Sequence, residues 1–128
     1  MKYTLIIKIL KFSLFLIGFA FIINSCKKAE TEVTFDENLL IGKWVIGKTI
    51  FYKYTSDHNG LTWDTNDDVT EAEAQKYTWN LNKAVLTQTH IMEIGGNVPK
   101  VYTITSLNAT SLVYKDNFGN VSTFTKVP

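Results

Sequence analysis

The chain has 128 residues, with 13 lysines and no arginine against 12 acidic residues, so its formal charge is only +1. Phosphate recognition needs clustered positive charge, and no basic stripe is present, so nucleic acid is not an expected partner. The length suits one domain of ordinary size, and a single cysteine excludes a disulfide bond within the chain.

The chain has a basic start, Lys2, Lys8 and Lys11, followed by an apolar block from Phe12 to Ile23 and the lone cysteine, Cys26. The twelve residues of the block form about 18 Å of helix, whereas the hydrocarbon core of a bilayer is about 30 Å thick. A charged start, a short apolar block and small residues before the cleavage site are typical of a cleaved export signal. An uncleaved N-terminal anchor helix is the alternative, and both interpretations leave the remaining chain outside the cytoplasm.

The segment Ile23-Asn24-Ser25-Cys26 resembles the lipobox of bacterial lipoproteins. The resemblance implies that the signal peptide, residues 1–25, is removed and that Cys26 carries a diacylglyceryl thioether and an N-acyl chain. Several acyl chains anchor a protein stably in a membrane where one chain does not. The resemblance therefore implies a lipid-anchored protein of the bacterial cell envelope, at the outer membrane. Residues 26–38 are charged and lack apolar periodicity, so they predict a flexible tether to a domain of residues 39–128. Ten lysines and twelve acids remain after removal of the signal, a formal charge of −2.

From Leu39 onward, β-branched and aromatic residues alternate with polar ones, which is typical of half-buried strands. The stretch 41–55 contains Gly47, where a bulge or sharp bend is expected. Asn59-Gly60 predicts a two-residue turn. Residues 64–75 interrupt the pattern, and Thr70 with Glu73 is typical of a capping box, so one short helix or ordered loop is expected there. The apolar face of the first stretch holds Trp44, Ile46, Ile50, Tyr52 and Tyr54.

Later strands are predicted at 76–82, 84–94, 99–107, 110–116 and 119–127, separated by residues typical of turns. With the stretch 41–55 and a short returning strand at 61–63, the total is seven strands, or eight if Gly47 divides the first. Short strands joined by tight turns predict an all-β fold, either a sandwich or an antiparallel up-and-down barrel. Eight strands close into a barrel just wide enough for side chains or one small ligand.

The segment Leu40-Ile41-Gly42-Lys43-Trp44 resembles the Gly-X-Trp start of lipocalins, and more narrowly that of lipocalin-like lipoproteins of Gram-negative bacteria. The last strand, Thr123 to Val127, fits the same family, as do the segments 102–104 and 112–114. The resemblance implies a small up-and-down lipocalin-like barrel of seven to eight strands. It also implies that Trp44 packs across the closed end, with Lys126 in the place of an arginine over its ring. The alternative is that Trp44 is ordinary core and Lys126 ordinary surface.

No catalytic, metal or cofactor motif is recognised in the chain, and an enzyme is not expected. The acidic stretch beginning at Asp64 is not an EF-hand, because its sixth position is Val69 rather than glycine and its twelfth is Gln75 rather than glutamate. His58 and His90 make no helical metal-binding pair, and nothing resembles a nucleophile elbow.

Gln88 and His90 share one strand face with Leu86 and Met92, so polar groups are predicted inside the barrel. Two interpretations stay open: these residues line a ligand pocket, or the barrel is filled and they bond one another. The predicted function is a membrane-anchored protein that binds a small hydrophobic or amphipathic ligand. The alternative is a non-enzymatic interaction module, an inhibitor or accessory subunit of an envelope complex, which uses the insertion 57–75. The predicted pocket consists of Tyr52, Tyr77, Trp79, Gln88, His90, Tyr102 and Tyr114.

Overall fold

The computed structural model describes residues 31–128. The predicted signal peptide, residues 1–25, and Cys26 lie outside the described residues. Glu32–Pro128 forms a compact unit that contains eight strands and their core, so this unit has what it needs to fold on its own. No helix within residues 31–128 combines the length and apolar character needed to cross a bilayer.

The eight strands form a closed antiparallel barrel in which each strand pairs with the next and the last pairs with the first. The predicted all-β, up-and-down, lipocalin-like barrel is therefore confirmed. A one-turn helix, α1 (Glu37–Leu40), precedes the barrel. The strands are β1 (Gly42–Ile46), β2 (Ile50–Tyr54), β3 (Asn59–Asp64), β4 (Gln75–Asn82), β5 (Val85–Ile91), β6 (Asn97–Leu107), β7 (Ser111–Asp116) and β8 (Val121–Val127).

Gly47 divides the first predicted stretch into β1 and β2, which gives eight strands rather than seven. It has a φ of 64°, a left-handed conformation that glycine adopts readily, and the chain reverses between Ile46 and Ile50. The apolar faces of the two strands remain on the same side, because Ile46 pairs with Ile50 and Trp44 with Tyr52.

The prediction of a turn at Asn59-Gly60 is wrong. The turn lies at residues 55–58, where the Thr55 N–H donates to the Asn59 carbonyl at 2.9 Å and His58 has a φ of 62°. Asn59 and Gly60 begin β3. Gly60 is required by packing instead, because a Cβ atom there would lie 2.2 Å from the ring of Tyr77.

The insertion between β3 and β4 forms two short 3-10 turns, Thr65–Asp67 and Glu71–Glu73, and not a single helix. The predicted capping box is present, since the Glu73 carboxylate accepts from the backbone N–H and the hydroxyl of Thr70. Glu71 binds both Lys43 and Lys53 at 2.7 Å, so the second turn is fastened to the outer surface of β1 and β2.

The folded unit begins earlier than the predicted boundary at Leu39. The Phe35 N–H donates to the Lys83 carbonyl at 3.2 Å, and the Phe35 ring packs against the core. Asp36 then caps α1 by accepting the Asn38 N–H at 3.0 Å. Residues 35–38 of the predicted tether therefore belong to the barrel domain, because an apolar ring and a helix cap fix them there.

The barrel has two unlike ends, because successive connections of an up-and-down barrel alternate between them. We call the end that contains α1 and residues 55–58, 83–84 and 108–110 the capped end. The open end contains the connections 47–49, 65–74, 92–96 and 117–120. Leu40 of α1 is fully buried, so the helix seals the capped end with an apolar side chain.

Candidate functional site

Trp44 and Lys126 close the capped end together. The Lys126 ammonium lies 5.0 Å from the centre of the Trp44 ring and donates to the Leu39 carbonyl at 2.9 Å. The Trp44 indole N–H donates to the Leu40 carbonyl at 2.7 Å. Burial lowers the pKa of Lys126 from its ordinary value. The structure thus brings together the two residues that the lipocalin resemblance assigned to barrel closure, and both bond the carbonyls of α1.

The glycine two positions before Trp44, Gly42, is required by the close approach of Lys126. It has a φ of 131°, and a Cβ atom there would lie 2.6 Å from Cε of Lys126. A side chain at this position would push the lysine away from the indole ring. The glycine and the tryptophan therefore belong to one packing arrangement around Lys126.

The interior of the barrel contains three bonded polar side chains, Tyr54, Gln88 and His90, and the exposed Gln75 joins them from the start of β4; we call these four residues the polar chain. Gln88 donates from Nε2 to the Tyr54 hydroxyl oxygen at 2.6 Å, and Nε2 of His90 lies 3.1 Å from Oε1 of Gln88. The Gln75 carboxamide meets Nδ1 of His90 at 3.3 Å. No buried side-chain nitrogen or oxygen in the described part of the chain lacks a partner. Tyr54, Gln88 and His90 are 1%, 0% and 2% exposed and belong to the packed interior, whereas Gln75 is exposed.

Protonation of the polar chain follows from its burial. Desolvation, with a smaller effect of the nearby Lys100 charge, lowers the pKa of His90 to about 4, so the imidazole is neutral at pH 7. Burial also raises the pKa of the Tyr54, Tyr77 and Tyr114 phenols above their ordinary value. None of these groups is charged near neutral pH, and the interior therefore carries no net charge at this level.

The seven predicted pocket residues all face the interior, but they occupy two levels. Five of them are buried and pack against one another, while Tyr52 and Tyr102 are only partly buried and lie toward the open end. The Tyr102 ring lies 4.3 Å from the Tyr114 ring, between centroids, so the two levels are in contact. The middle is filled, and the space available to a ligand lies above it. The buried five are Tyr77, Trp79, Gln88, His90 and Tyr114.

Lys100 is one of the cations near the open end. It pairs with Gln88 in the β5–β6 ladder and shares the inner face with Tyr102, yet its side chain is exposed. None of the three ion pairs found among residues 31–128 includes Lys100. The nearby carboxylate of Asp116 accepts hydrogen bonds from the N–H groups of Phe118 and Asn120 at 2.9 Å. This carboxylate is therefore bonded within the β7–β8 turn.

A groove of about 300 Å³ runs beside Lys100 and continues to the β7–β8 turn. We call it the rim groove. Phe118 at the tip of this turn is 92% exposed, although burial of an aromatic ring is strongly favourable. The residues that line the rim groove are Pro99, Lys100, Val101, Tyr102, Asp116, Asn117 and Phe118.

Lys100 and Phe118 were missed by the sequence interpretation. Strand parity could have found Lys100, since it alternates in phase with Tyr102 on a strand that follows a turn. An aromatic residue inside the turn sequence Asp116-Asn117-Phe118-Gly119 was the available signal for Phe118.

The site thus consists of an exposed ammonium, two partly buried tyrosines and an exposed aromatic ring above a sealed, neutral interior. Among the described residues, no group of three or more His, Cys, Asp or Glu side chains is placed to hold a metal ion. In comparisons with known proteins, no family model, no curated protein and no solved structure matches this chain.

Proposed function

We propose that the barrel binds a small amphipathic anion at its open end, with the anionic group on Lys100 and the apolar part against Tyr102 and Phe118. The observation that carries the proposal is an ammonium with no carboxylate partner in the described chain, beside an exposed aromatic ring in the rim groove. Ligand sites characteristically combine an apolar lining with a few polar groups that orient the ligand.

The size and depth of the rim groove limit the ligand. Its volume of about 300 Å³ is at the lower end of the range for small-molecule sites. The filled level formed by Tyr77, Gln88 and His90 prevents a long chain from entering the middle of the barrel. A compact molecule with one anionic group fits these limits better than a long fatty acid does.

Two dyes of similar shape test the proposal, namely anionic anilinonaphthalene sulfonate and neutral phenylnaphthylamine, with the unit of residues 32–128. Lys100→Gln is expected to weaken binding of the anionic dye about tenfold and to leave the neutral dye within about twofold. Lys115→Gln on the neighbouring strand is the matched control and should change neither. Phe118→Ala should weaken both dyes, because both use the ring. Equal effects of the two lysine variants, or no binding of either dye, would contradict the proposal.

We also propose that the protein is held at a bacterial membrane through acylated Cys26, on the support of the lipobox-like sequence alone. The described chain reaches the barrel at the capped end, through Phe35 and α1. Intact-mass measurement of the native protein should show loss of residues 1–25 and the added mass of acyl chains. An unmodified thiol on a chain that retains Met1 would exclude this anchor.

A further inference from the structure

The hydrogen bonds of the polar chain determine which nitrogen of the His90 ring carries a proton. Gln88 donates from Nε2 to the Tyr54 hydroxyl oxygen at 2.6 Å, so its Oε1 is the atom that faces Nε2 of His90 at 3.1 Å. A carboxamide oxygen accepts hydrogen bonds and does not donate them, and Nε2 of His90 therefore carries a hydrogen. A neutral imidazole has only one N–H, which leaves Nδ1 without a proton.

The other nitrogen of the His90 ring faces a second acceptor. Nδ1 lies 3.3 Å from Oε1 of Gln75, and Nε2 of the same carboxamide donates to Sδ of Met92 at 3.0 Å. An unprotonated Nδ1 and a carboxamide oxygen are both acceptors, so no hydrogen bond joins them in the neutral state. A proton on Nδ1 completes the polar chain, because both ring N–H groups then donate to carboxamide oxygens.

Lys100 and the burial of the ring oppose this second proton. Lys100 lies directly opposite Gln88 in the β5–β6 ladder, so it is a diagonal neighbour of His90 on the inner face, at about 7–8 Å. Desolvation is the larger cause of the low pKa of His90, which is about 4, and the positive charge of Lys100 is the other cause. Removal of that charge therefore favours the imidazolium form.

The other titratable groups around the ring are neutral or bonded within turns. From β4, Tyr77 stacks on the ring at 5.3 Å between centroids, and from β2, Tyr54 reaches it through the polar chain. Both phenols are neutral near pH 7, because burial raises their pKa. Asp64 of β3 and Asp116 of β7 accept hydrogen bonds from N–H groups of their own turns. Among the described residues, Lys100 is thus the charged group to which the proton on the ring responds.

We propose that an anion bound at Lys100 is taken up together with a proton on Nδ1 of His90. This inference rests on the proposed function and describes the regulation of that site. The anion cancels the repulsion between the ammonium and the imidazolium, and the solvent supplies the proton, which Nδ1 then donates in a hydrogen bond to Gln75. Linkage is reciprocal, so the affinity for the anion rises as the pH falls towards the pKa of His90. A weak organic acid, which supplies one anion and one proton, is the class of ligand that fits.

NMR titration of the His90 ring nitrogens, in the unit of residues 32–128, measures this proton directly. Lys100→Gln is expected to lower the proton concentration at half-protonation about threefold. Lys100→Glu places a carboxylate at the site without any ligand and is expected to lower it about tenfold. Lys115→Gln, on the outer face of β7, is the matched control and should change it by less than about 1.5-fold.

The two dyes then test the linked uptake itself. Saturating anilinonaphthalene sulfonate is expected to shift the His90 titration about as much as Lys100→Gln does, whereas neutral phenylnaphthylamine should not shift it. A titration that is the same in Lys100→Gln and the wild type would overturn the linkage, whether or not a dye binds. Bound sulfonate that leaves His90 unchanged would also overturn it. Absence of dye binding, together with a shifted titration in Lys100→Glu, would contradict the proposed function and support the coupling between Lys100 and His90.

Discussion

Replacement of Gly60 by alanine is expected to lower the free energy of unfolding by about 3 kcal/mol, because the new methyl group has no space. Its Cβ would lie 2.2 Å from two ring atoms of Tyr77. That ring cannot move aside easily, since its hydroxyl donates to the Lys53 carbonyl at 2.9 Å. The ring also packs against Tyr54 and His90, at 5.6 and 5.3 Å between centroids. Urea unfolding of the wild type and the variant measures the difference.

A double-mutant cycle separates this contact from any general effect of alanine in β3. Tyr77→Leu removes the ring and is itself destabilising, but in that background Gly60→Ala is expected to cost less than about 1 kcal/mol. The double variant is therefore expected to be more stable than the sum of the two single effects predicts. If the two costs add without coupling, Gly60 has another role and the proposed contact does not determine its identity.

The stability of the barrel is expected to fall as the pH falls from about 6.5 to about 4, because of His90. Burial lowers the pKa of His90 to about 4 in the folded state, whereas an unfolded histidine has a pKa of about 6.5. In this window the unfolded chain binds the proton more readily, so protonation favours unfolding. The contribution that is present above pH 6.5 and lost at pH 4 is on the order of 3 kcal/mol. Unfolding free energies from urea titrations at several pH values measure it.

His90→Gln is the informative variant, because glutamine keeps a donor and an acceptor for Gln75 and Gln88 but does not titrate. Its free energy of unfolding should be nearly constant between about pH 6.5 and 5. Carboxylates with lowered pKa values, such as Asp57 at about 2 and Asp116, lose their contribution at lower pH and do not mask this window. A variant that keeps the full wild-type slope would show that another group is responsible.

The parts of the fold that depend on local alternation could be predicted from the sequence. Strand parity put Trp44 on the apolar face of the first stretch, and the lipocalin resemblance paired it with Lys126; the two residues meet at the capped end. Parity also placed Gln88 and His90 inside the barrel. The period of two along a strand is a property of the backbone, so a single segment is enough to predict it.

The parts that depend on distant partners could not be predicted in the same way. Gly60 resembles a turn residue, and only its contact with Tyr77 across the β3–β4 ladder places it in a strand. Gln88 bonds Tyr54, which lies 34 residues away, so whether the interior is hollow or filled depends on the closed barrel.

The placement of Phe35 also depends on a residue distant in the sequence. Its ring lies in a charged segment without periodicity, and its backbone N–H meets the Lys83 carbonyl only once the β4–β5 turn has formed. Lys83 adopts a φ of 58° in that turn. Composition alone therefore predicts a domain that starts at Leu39, four residues after Phe35.

The account depends most on the claim that the barrel is filled in the middle and binds its ligand at the open end. Backbone amide chemical shifts of residues 32–128 during titration with anilinonaphthalene sulfonate test this claim directly. The largest changes are expected at Lys100, Tyr102 and Phe118, with little change at Leu40 and Trp44. Largest changes at the capped end, or an opening of the interior around Gln88, would contradict it.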